Sequence, residues 1–458
     1  MAIKTTIIFL FSLLFVYADE LKDINYSSIK EGTQIELITY ANQKKEINII
    51  QKNHPAYYTP RSQKFELVLD PQILHSRFGT IYLYDLSHSG SYLNALSYDN
   101  MKLEGDLNNV SIGIADEQYY LKDDHFKLEN KSFFSLNTLY DSINLSRLKY
   151  LVILSPQELD SPIKKIIFSK KKLTYPQMKH PIESWSWNPT HITSDKLKST
   201  PLKRIYLQIR KGFESALNEM SKSNVSIYGL NGSPEDILNY THLLKDIDYL
   251  GKLKESYPRI EGFQIDVEPY LLLQYKKERN SVLKKYLQMI KELKLHCKQY
   301  GLKFSVVIPF WFDQLCINHE NFGFKVTSLV DEIVLMSYRS DLNEVIDISK
   351  SLLKYASYHK KEVRIGIELM KIEDEEHTLY SIIKSSTPCI VNGKLEKECI
   401  TLHKEHQYTV KGSDISFYKQ THKLDNILTY NVPYSSFRGF VFHHFDLLNT
   451  LPDLNISN

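Results

Sequence analysis

Ile260-Glu261-Gly262-Phe263-Gln264-Ile265-Asp266-Val267-Glu268-Pro269-Tyr270 is an apolar run with three polar side chains on one face and a carboxylate at its end. Gln264, Asp266 and Glu268 alternate with Phe263, Ile265 and Val267, so the two sets point to opposite sides of a strand. A solvated edge strand would alternate in the same way. Here Gly262 opens the run, Pro269 stops it and long helical patterns flank it, which is the setting of a buried parallel strand in an α/β protein. Polar groups buried in a row need either a function or a hydrogen-bond network.

Outward from this strand, the same kind of run recurs. Strands are expected at 184–187, 204–209, 226–230, 262–268, 303–309, 332–338, 363–369 and 439–443, separated by helical or connecting segments. Between 282 and 297, Leu283, Leu287, Ile290, Leu293 and Cys297 form an apolar helical stripe with lysines opposite. Eight such strands over about 270 residues predict a (β/α)8 barrel. The first crossover is too short for a full helix, so an irregular outer ring is expected. A doubly wound sheet would favour a glycine-rich turn after its first strand, where this chain has Trp187-Asn188-Pro189. Upstream the pattern changes to short alternating runs at 33–40, 64–69, 79–84, 110–115, 150–154 and 164–170, broken by Asn, Asp, Gly and Ser. This spacing predicts an antiparallel β-sandwich. The expected organisation is a leader at 1–18, a sandwich at 19–178 that is a candidate carbohydrate-binding module, and the barrel at 179–458.

The leader has Lys4 before an apolar run from Ile7 to Val16 and a small-residue cleavage pattern at Val16-Tyr17-Ala18. The protein is therefore expected to be exported, to the periplasm, cell surface or exterior. No later run approaches the ~20 apolar residues that span a bilayer, so no membrane partner is expected after cleavage. In an oxidising compartment Cys389 and Cys399, which bracket a turn-rich segment, are expected to form a disulfide, with Cys297 and Cys316 free. A net charge of +3 excludes a strong field for nucleic acid and leaves a neutral or mixed partner. Oligomeric state is unconstrained.

In a barrel, chemistry sits at the carboxyl ends of the strands. Those ends carry Trp187 and Asn188, then Asn231, Asp266 and Glu268, then Trp311 and Asp313, Tyr338 and Arg339, Glu368, and His443 and His444. No zinc-ligand spacing, nucleophile elbow or phosphate loop is present, so no metal or cofactor is expected. Carboxylates and aromatics suit acid/base chemistry on a carbohydrate: rings stack on sugar faces, and a carboxylic acid protonates a glycosidic oxygen. Asp266 and Glu268 are close on one strand face, so each ionised group raises the other's pKa.

The stretch from Glu261 to Glu268 resembles the strand-four signature Asp-Gly-x-Asp-x-Asp-x-Glu of family 18, chitinase-like glycoside hydrolases, and Met336-Ser337-Tyr338-Arg339 is similar to that family's Met-x-Tyr-Asp. The resemblance covers residues 180–458 and implies Glu268 as general acid, Asp266 as the group that orients and polarises it, and Tyr338 as a hydrogen-bonding group near the reacting sugar. It also implies the substrate's own 2-acetamido oxygen as nucleophile. Gln264 and Arg339 stand where the family has aspartates, and His443-His444 where it has a tryptophan. Glu268-Pro269 with Glu368 resembles, in turn, the retaining glycosidases with Asn-Glu-Pro on strand four and a nucleophilic glutamate on strand seven, and implies carboxyls roughly 5 Å apart. Gln264, Trp187, Asn188, Trp311, Asp313, Arg339, His443 and His444 are expected to contact substrate, with Arg339 also a candidate ion-pair partner of Glu268. The function expected is hydrolysis of a polysaccharide or amino-sugar glycan. The alternatives are a lectin-like barrel and a surface-polysaccharide assembly protein.

Overall fold

The computed structural model describes residues 34–448 apart from 41, 43–44, 51–56, 59–61, 88–90, 116–130, 140–143, 172–179, 201, 386–388, 392–393, 397–398 and 421–422. The expected leader lies outside the described residues. The chain divides into two units, one built from the segment up to residue 53 together with 374–410, the other from 54–373 and 411–458.

The larger unit holds a closed, all-parallel barrel of eight strands: β1 (Ile182–Ser186), β2 (Leu202–Gln208), β3 (Ser226–Asn231), β4 (Ile260–Ile265), β5 (Lys303–Pro309), β6 (Glu332–Met336), β7 (Glu362–Glu368) and β8 (Phe437–His443). β1 and β8 close it through the register Ser184↔Phe442. Every expected strand is present. Six helices lie along the crossovers up to β7: α1 (Ser194–Ser199), α2 (Phe213–Met220), α3 (Thr241–Leu253), α4 (Leu273–Gln299), α5 (Phe322–Leu329) and α6 (Leu342–Tyr358). The six residues of α1, capped by the Thr193 side chain, bear out the short first crossover. α4 turns Leu283, Tyr286, Ile290, Leu293 and Cys297 inward, as the apolar stripe requires. Gly262 is needed where it stands, since a Cβ there would lie 2.3 Å from the Tyr228 ring and 2.7 Å from the Lys303 carbonyl oxygen.

Inside the barrel, Trp185, Tyr206, Tyr228, Leu230, Val307, Val334 and Val441 fill the lumen. Towards the amino ends of the strands lies a buried charge network. Glu332 accepts from Arg204 Nη1 (2.8 Å), Tyr206 (2.8 Å), Ser305 (2.9 Å) and Arg364, which also bonds Glu183. Burial works to raise the Glu332 carboxyl, but Arg364 and Arg204 overcome it and hold it below the usual range.

The same unit contains the expected sandwich, two four-stranded antiparallel sheets. One is ordered Phe133–Ser135, Asn100–Glu104, Lys165–Ser169, Lys64–Leu67, and the other Gln72–Ser76, Gly79–Asp85, Tyr150–Ser155, Ser111–Ala115. It is tied to α6 of the barrel by Asp99, which accepts from Lys350 Nζ (2.6 Å) and Lys354 Nζ (2.8 Å) in a buried cluster.

The smaller unit corrects part of the sequence expectation. Gln34–Tyr40, expected in the sandwich, pairs instead with Lys45–Ile50 and with Glu375–Ser385, and the latter with Cys399–Val410, making a separate antiparallel sheet. Alternation specifies a strand face but not which distant strand will be its neighbour. Within this sheet Glu36 bonds His377 Nδ1 (3.0 Å) and the Tyr408 hydroxyl (3.0 Å). Cys389 and Cys399 open strands of this segment, but their side chains lie outside the described residues. Cys297 and Cys316 are free and buried. Among the described residues no helix is long and apolar enough to cross a membrane.

Candidate active site

Asp266 and Glu268 emerge just beyond β4. The Asp266 N–H donates to the Asn231 carbonyl at the end of β3 (3.0 Å), and Gly232 follows at φ +146°, where a Cβ would lie 2.5 Å from the Asp266 carbonyl oxygen. Only glycine allows that close approach, which seats Asp266 against the β3 turn. Its Oδ1 is buried without a hydrogen-bond partner among the described residues. Burial first, then the neighbouring Glu268, pushes the Asp266 carboxyl up to about 7, with His443 opposing.

Glu268 leads into the tight turn Pro269–Leu271. Burial raises its carboxyl above the usual range, partly offset by the Tyr270 hydroxyl, which donates to Oε1. Two further tyrosines lie within the field of these carboxyls. Tyr286 projects from α4 with its hydroxyl buried and without a hydrogen-bond partner among the described residues, and burial together with Asp266 and Glu268 raises its pKa. Tyr338, beyond β6, is driven well above the usual range by burial and then by Glu368, Asp266 and Glu268, which places its hydroxyl in the field of all three carboxyls.

Glu368, only 3% exposed, ends β7 with both oxygens engaged: Oε1 accepts from the Met370 N–H (2.7 Å) and Oε2 bonds His443 Nδ1 (2.7 Å). His443 ends β8, and its Nε2 takes the Trp187 indole N–H at 3.1 Å. Beyond β5, Trp311 packs edge-on against Tyr270, ring centroids 5.1 Å apart.

Arg339 does not bridge Glu268. Its Nη1 donates to the Tyr338 carbonyl (2.7 Å), its Nε lies 3.9 Å from Glu344 at the start of α6, and its guanidinium sits 5.5 Å from the Phe310 ring centre. Gln264 is corrected from substrate contact to core. It is fully buried, its Oε1 accepting from the Trp185 indole (2.6 Å) and its Nε2 donating to Ser305 (2.9 Å), which joins it to Glu332 below. Asn188 is likewise corrected to a capping residue: its Oδ1 accepts from the Thr190 N–H (3.2 Å) and hydroxyl (2.7 Å), and its amide bonds His191. Asp313 is wholly buried in the turn Phe310–Gln314, away from solvent. His444 accepts the Asp446 N–H (3.2 Å), and Asp446 in turn bonds His191 (2.6 Å) and Lys196 (3.1 Å).

The structure thus brings Asp266, Glu268, Tyr338, Glu368, His443 and Trp187 to one end of the barrel. Tyr270 and Tyr286 belong to the same site and escape sequence reasoning. Tyr270 carries a signal of a kind, since it continues the alternation of Asp266 and Glu268 beyond Pro269, whereas Tyr286 looks like any aromatic on a core-facing helix. A proton-donating carboxyl, a second carboxyl coupled to it and a set of hydroxyls and rings can protonate a leaving oxygen and hold a polyhydroxylated ring. Among the described residues no group of three metal-ligating side chains gathers.

No family model and no curated protein matches the chain. Among solved structures it is similar to a chitinase from Chromobacterium violaceum ATCC 12472, at 11% identity over 58% of this chain and 94% of that one, with a TM-score of 0.36. It is similar also to the spore cortex-lytic enzyme SleL of Bacillus megaterium QM B1551, at 11% identity over 65% and 79%, TM-score 0.34. A third is a mutant plant class V chitinase from Cycas revoluta in complex with (GlcNAc)3, at 9% identity over 59% and 97%, TM-score 0.35.

Proposed function

We propose that this protein is an exported glycoside hydrolase acting on a polysaccharide or amino-sugar glycan, with Glu268 as general acid/base and Asp266 as its coupled partner. The observation that carries this reading is a half-buried pair of carboxyls with no lysine or arginine paired to either among the described residues, Arg339 lying instead beside Glu344, so that Asp266 is pushed up to about 7 and Glu268 is raised above its usual range. Glu268 delivers its proton to the glycosidic oxygen as the bond breaks. Tyr270, donating to Oε1, holds the carboxyl in place. When Glu268 has given up its proton it is the anion of the pair and favours Asp266 in its protonated form; whenever Asp266 ionises instead, its charge favours return of a proton to Glu268. Trp187 and Trp311 offer aromatic surfaces for sugar rings. Since both oxygens of Glu368 are already bonded, a nucleophile from the substrate, its 2-acetamido oxygen, fits better than attack by Glu368.

The test is sugar release from soluble and insoluble glycans with and without 2-acetamido groups. Glu268→Gln is expected to lower the rate on the order of 10²–10⁴-fold while binding is retained. Equal release by both proteins would remove Glu268 from the chemistry, and binding without release by either would make the barrel a lectin.

A further inference from the structure

We infer that His443, anchored by Glu368, is the positioning residue for the Trp187 indole, and that it holds the ring only as a neutral imidazole. The indole N–H can only donate, so the 3.1 Å contact makes His443 Nε2 an acceptor. The remaining proton of a neutral ring then sits on Nδ1 and is donated to Glu368 Oε2 at 2.7 Å. Glu368 cannot swing away freely, because its Oε1 takes the Met370 N–H and the side chain is buried. The relay therefore runs across three adjacent strands, from the end of β7 through the end of β8 to the residue after β1, with Glu368 and His443 paired in register.

Trp185 and Trp187 show why this matters. Trp185 is buried in the lumen and held by Gln264, a group that cannot titrate. Trp187 is only partly buried, packed on one side against the lumen cluster, and lies perpendicular to His443, at 88° with ring centres 6.3 Å apart, its indole N–H bonded to His443 at the mouth. A second proton on His443 turns Nε2 into a donor facing a donor, and the indole is released. The titratable groups facing His443 are Glu368 from β7, Asp266 from beyond β4 and His444 next along the chain. If the site binds sugar as proposed above, loss of the oriented ring weakens that binding on the acid side.

The chain has three tryptophans, so its indole N–H groups give three NMR signals, assignable with single Trp→Phe variants of the full protein. Followed as the pH is lowered, the Trp187 signal of the ligand-free protein is expected to move when Nε2 gains its proton and stops accepting from the indole. In His443→Gln, whose carboxamide can accept from the indole and donate to Glu368, it is expected to stay put. A Trp187 signal that does not move in the unmutated protein, or that moves equally in His443→Gln, overturns the inference. A tetramer of N-acetylglucosamine then supplies the sugar readout on a Glu268→Gln background. Asp266, whose carboxyl burial raises, also changes charge as the pH falls, so the His443→Gln profile gives its share; about tenfold more weakening at low pH with His443 present than with Gln supports the relay's role in binding, and identical profiles deny it. A moving indole signal with no glycan bound at any pH upholds the positioning role and counts against the hydrolase reading.

Discussion

The barrel holds carboxylates at both ends, fully buried at one and half-buried at the other, and partners them differently. At the floor, Glu183 and Glu332 face Arg204 and Arg364, two acids against two bases, with Tyr206 and Ser305 completing the bonds of Glu332. At the mouth, Asp266 and Glu268 have no cation, and the Asp266 Oδ1 and the Tyr286 hydroxyl lack partners among the described residues. Arg364 and Arg204 hold the Glu332 carboxyl below its ordinary range, though burial still leaves Glu183 raised beside them, whereas the Asp266 and Glu268 carboxyls both rise above theirs with no arginine or lysine paired to either among the described residues. Burial alone therefore does not mark a site. The marker is burial left uncompensated, since a folded chain normally satisfies what it buries unless chemistry or a ligand requires otherwise.

The sharpest way to break this contrast is to neutralise one carboxylate at each end. Glu332→Gln removes the carboxylate that Arg204 and Arg364 share, leaving Glu183 and the more distant Glu261 and Glu362, each 3.7 Å away, and removing one partner of a buried pair costs roughly 3–5 kcal/mol. Glu268→Gln replaces a group whose charged form burial already disfavours, so its stability is expected to stay within about 1 kcal/mol of the parent, or to rise. Urea unfolding of the two variants checks this. Equal losses would mean that the mouth is a structural network like the floor.

Next in size is the pH dependence of Asp266→Asn. The Asp266 carboxyl rises from 3.8 to about 7 on folding. Below pH 3.8 it is protonated in both states and contributes nothing. Between 3.8 and 7 the unfolded chain loses its proton while the folded one keeps it, so stability falls, and above 7 the penalty is complete, at most roughly 4 kcal/mol. Asp266→Asn is therefore expected to stabilise the protein at pH 8 and not at pH 3.5. Denaturant midpoints at the two pH values decide it, and a gain that is equal at both would mean that Asp266 is not held protonated.

The two ends also differ in how legible they were. All eight barrel strands could be read, because parallel strands buried on both faces are near-continuous apolar runs; 303–309 coincides with β5 at both ends. Asp266 and Glu268 followed from the rule that chemistry lies where such strands end. Gln264 did not, because a period of two assigns a face and says nothing of depth: two residues before Asp266 on the same face, it is already in the lumen, bonded to Trp185. Asn188 was misread because a strand end is also a turn start, where an asparagine caps its own backbone. The floor was invisible for a different reason. Glu183, Arg204, Glu332 and Arg364 are isolated charges in four separate strands, and only closure of the barrel brings them together. The pairing of Gln34–Tyr40 with Glu375–Ser385 is non-local in the same sense.

The smallest expected effect tests the boundary between the two regimes. Arg339 is the cation nearest in sequence to the Tyr338 wall, and if it neutralised Glu268 the mouth would be a second floor. Its partners are instead the Tyr338 carbonyl and, at 3.9 Å, a Glu344 side chain that is 62% exposed. Such a solvated pair contributes no more than about 1 kcal/mol. Arg339→Ala is accordingly expected to change stability by less than that and to leave the pH profile of sugar release in place. An Arg339 that held the Glu268 proton off would give the opposite result: without it the Glu268 carboxyl would rise further, and the alkaline limb of the profile would move to higher pH. A profile that stays put leaves the mouth with carboxyls governed by burial and by each other, the condition in which a carboxylic acid can still donate a proton near neutrality.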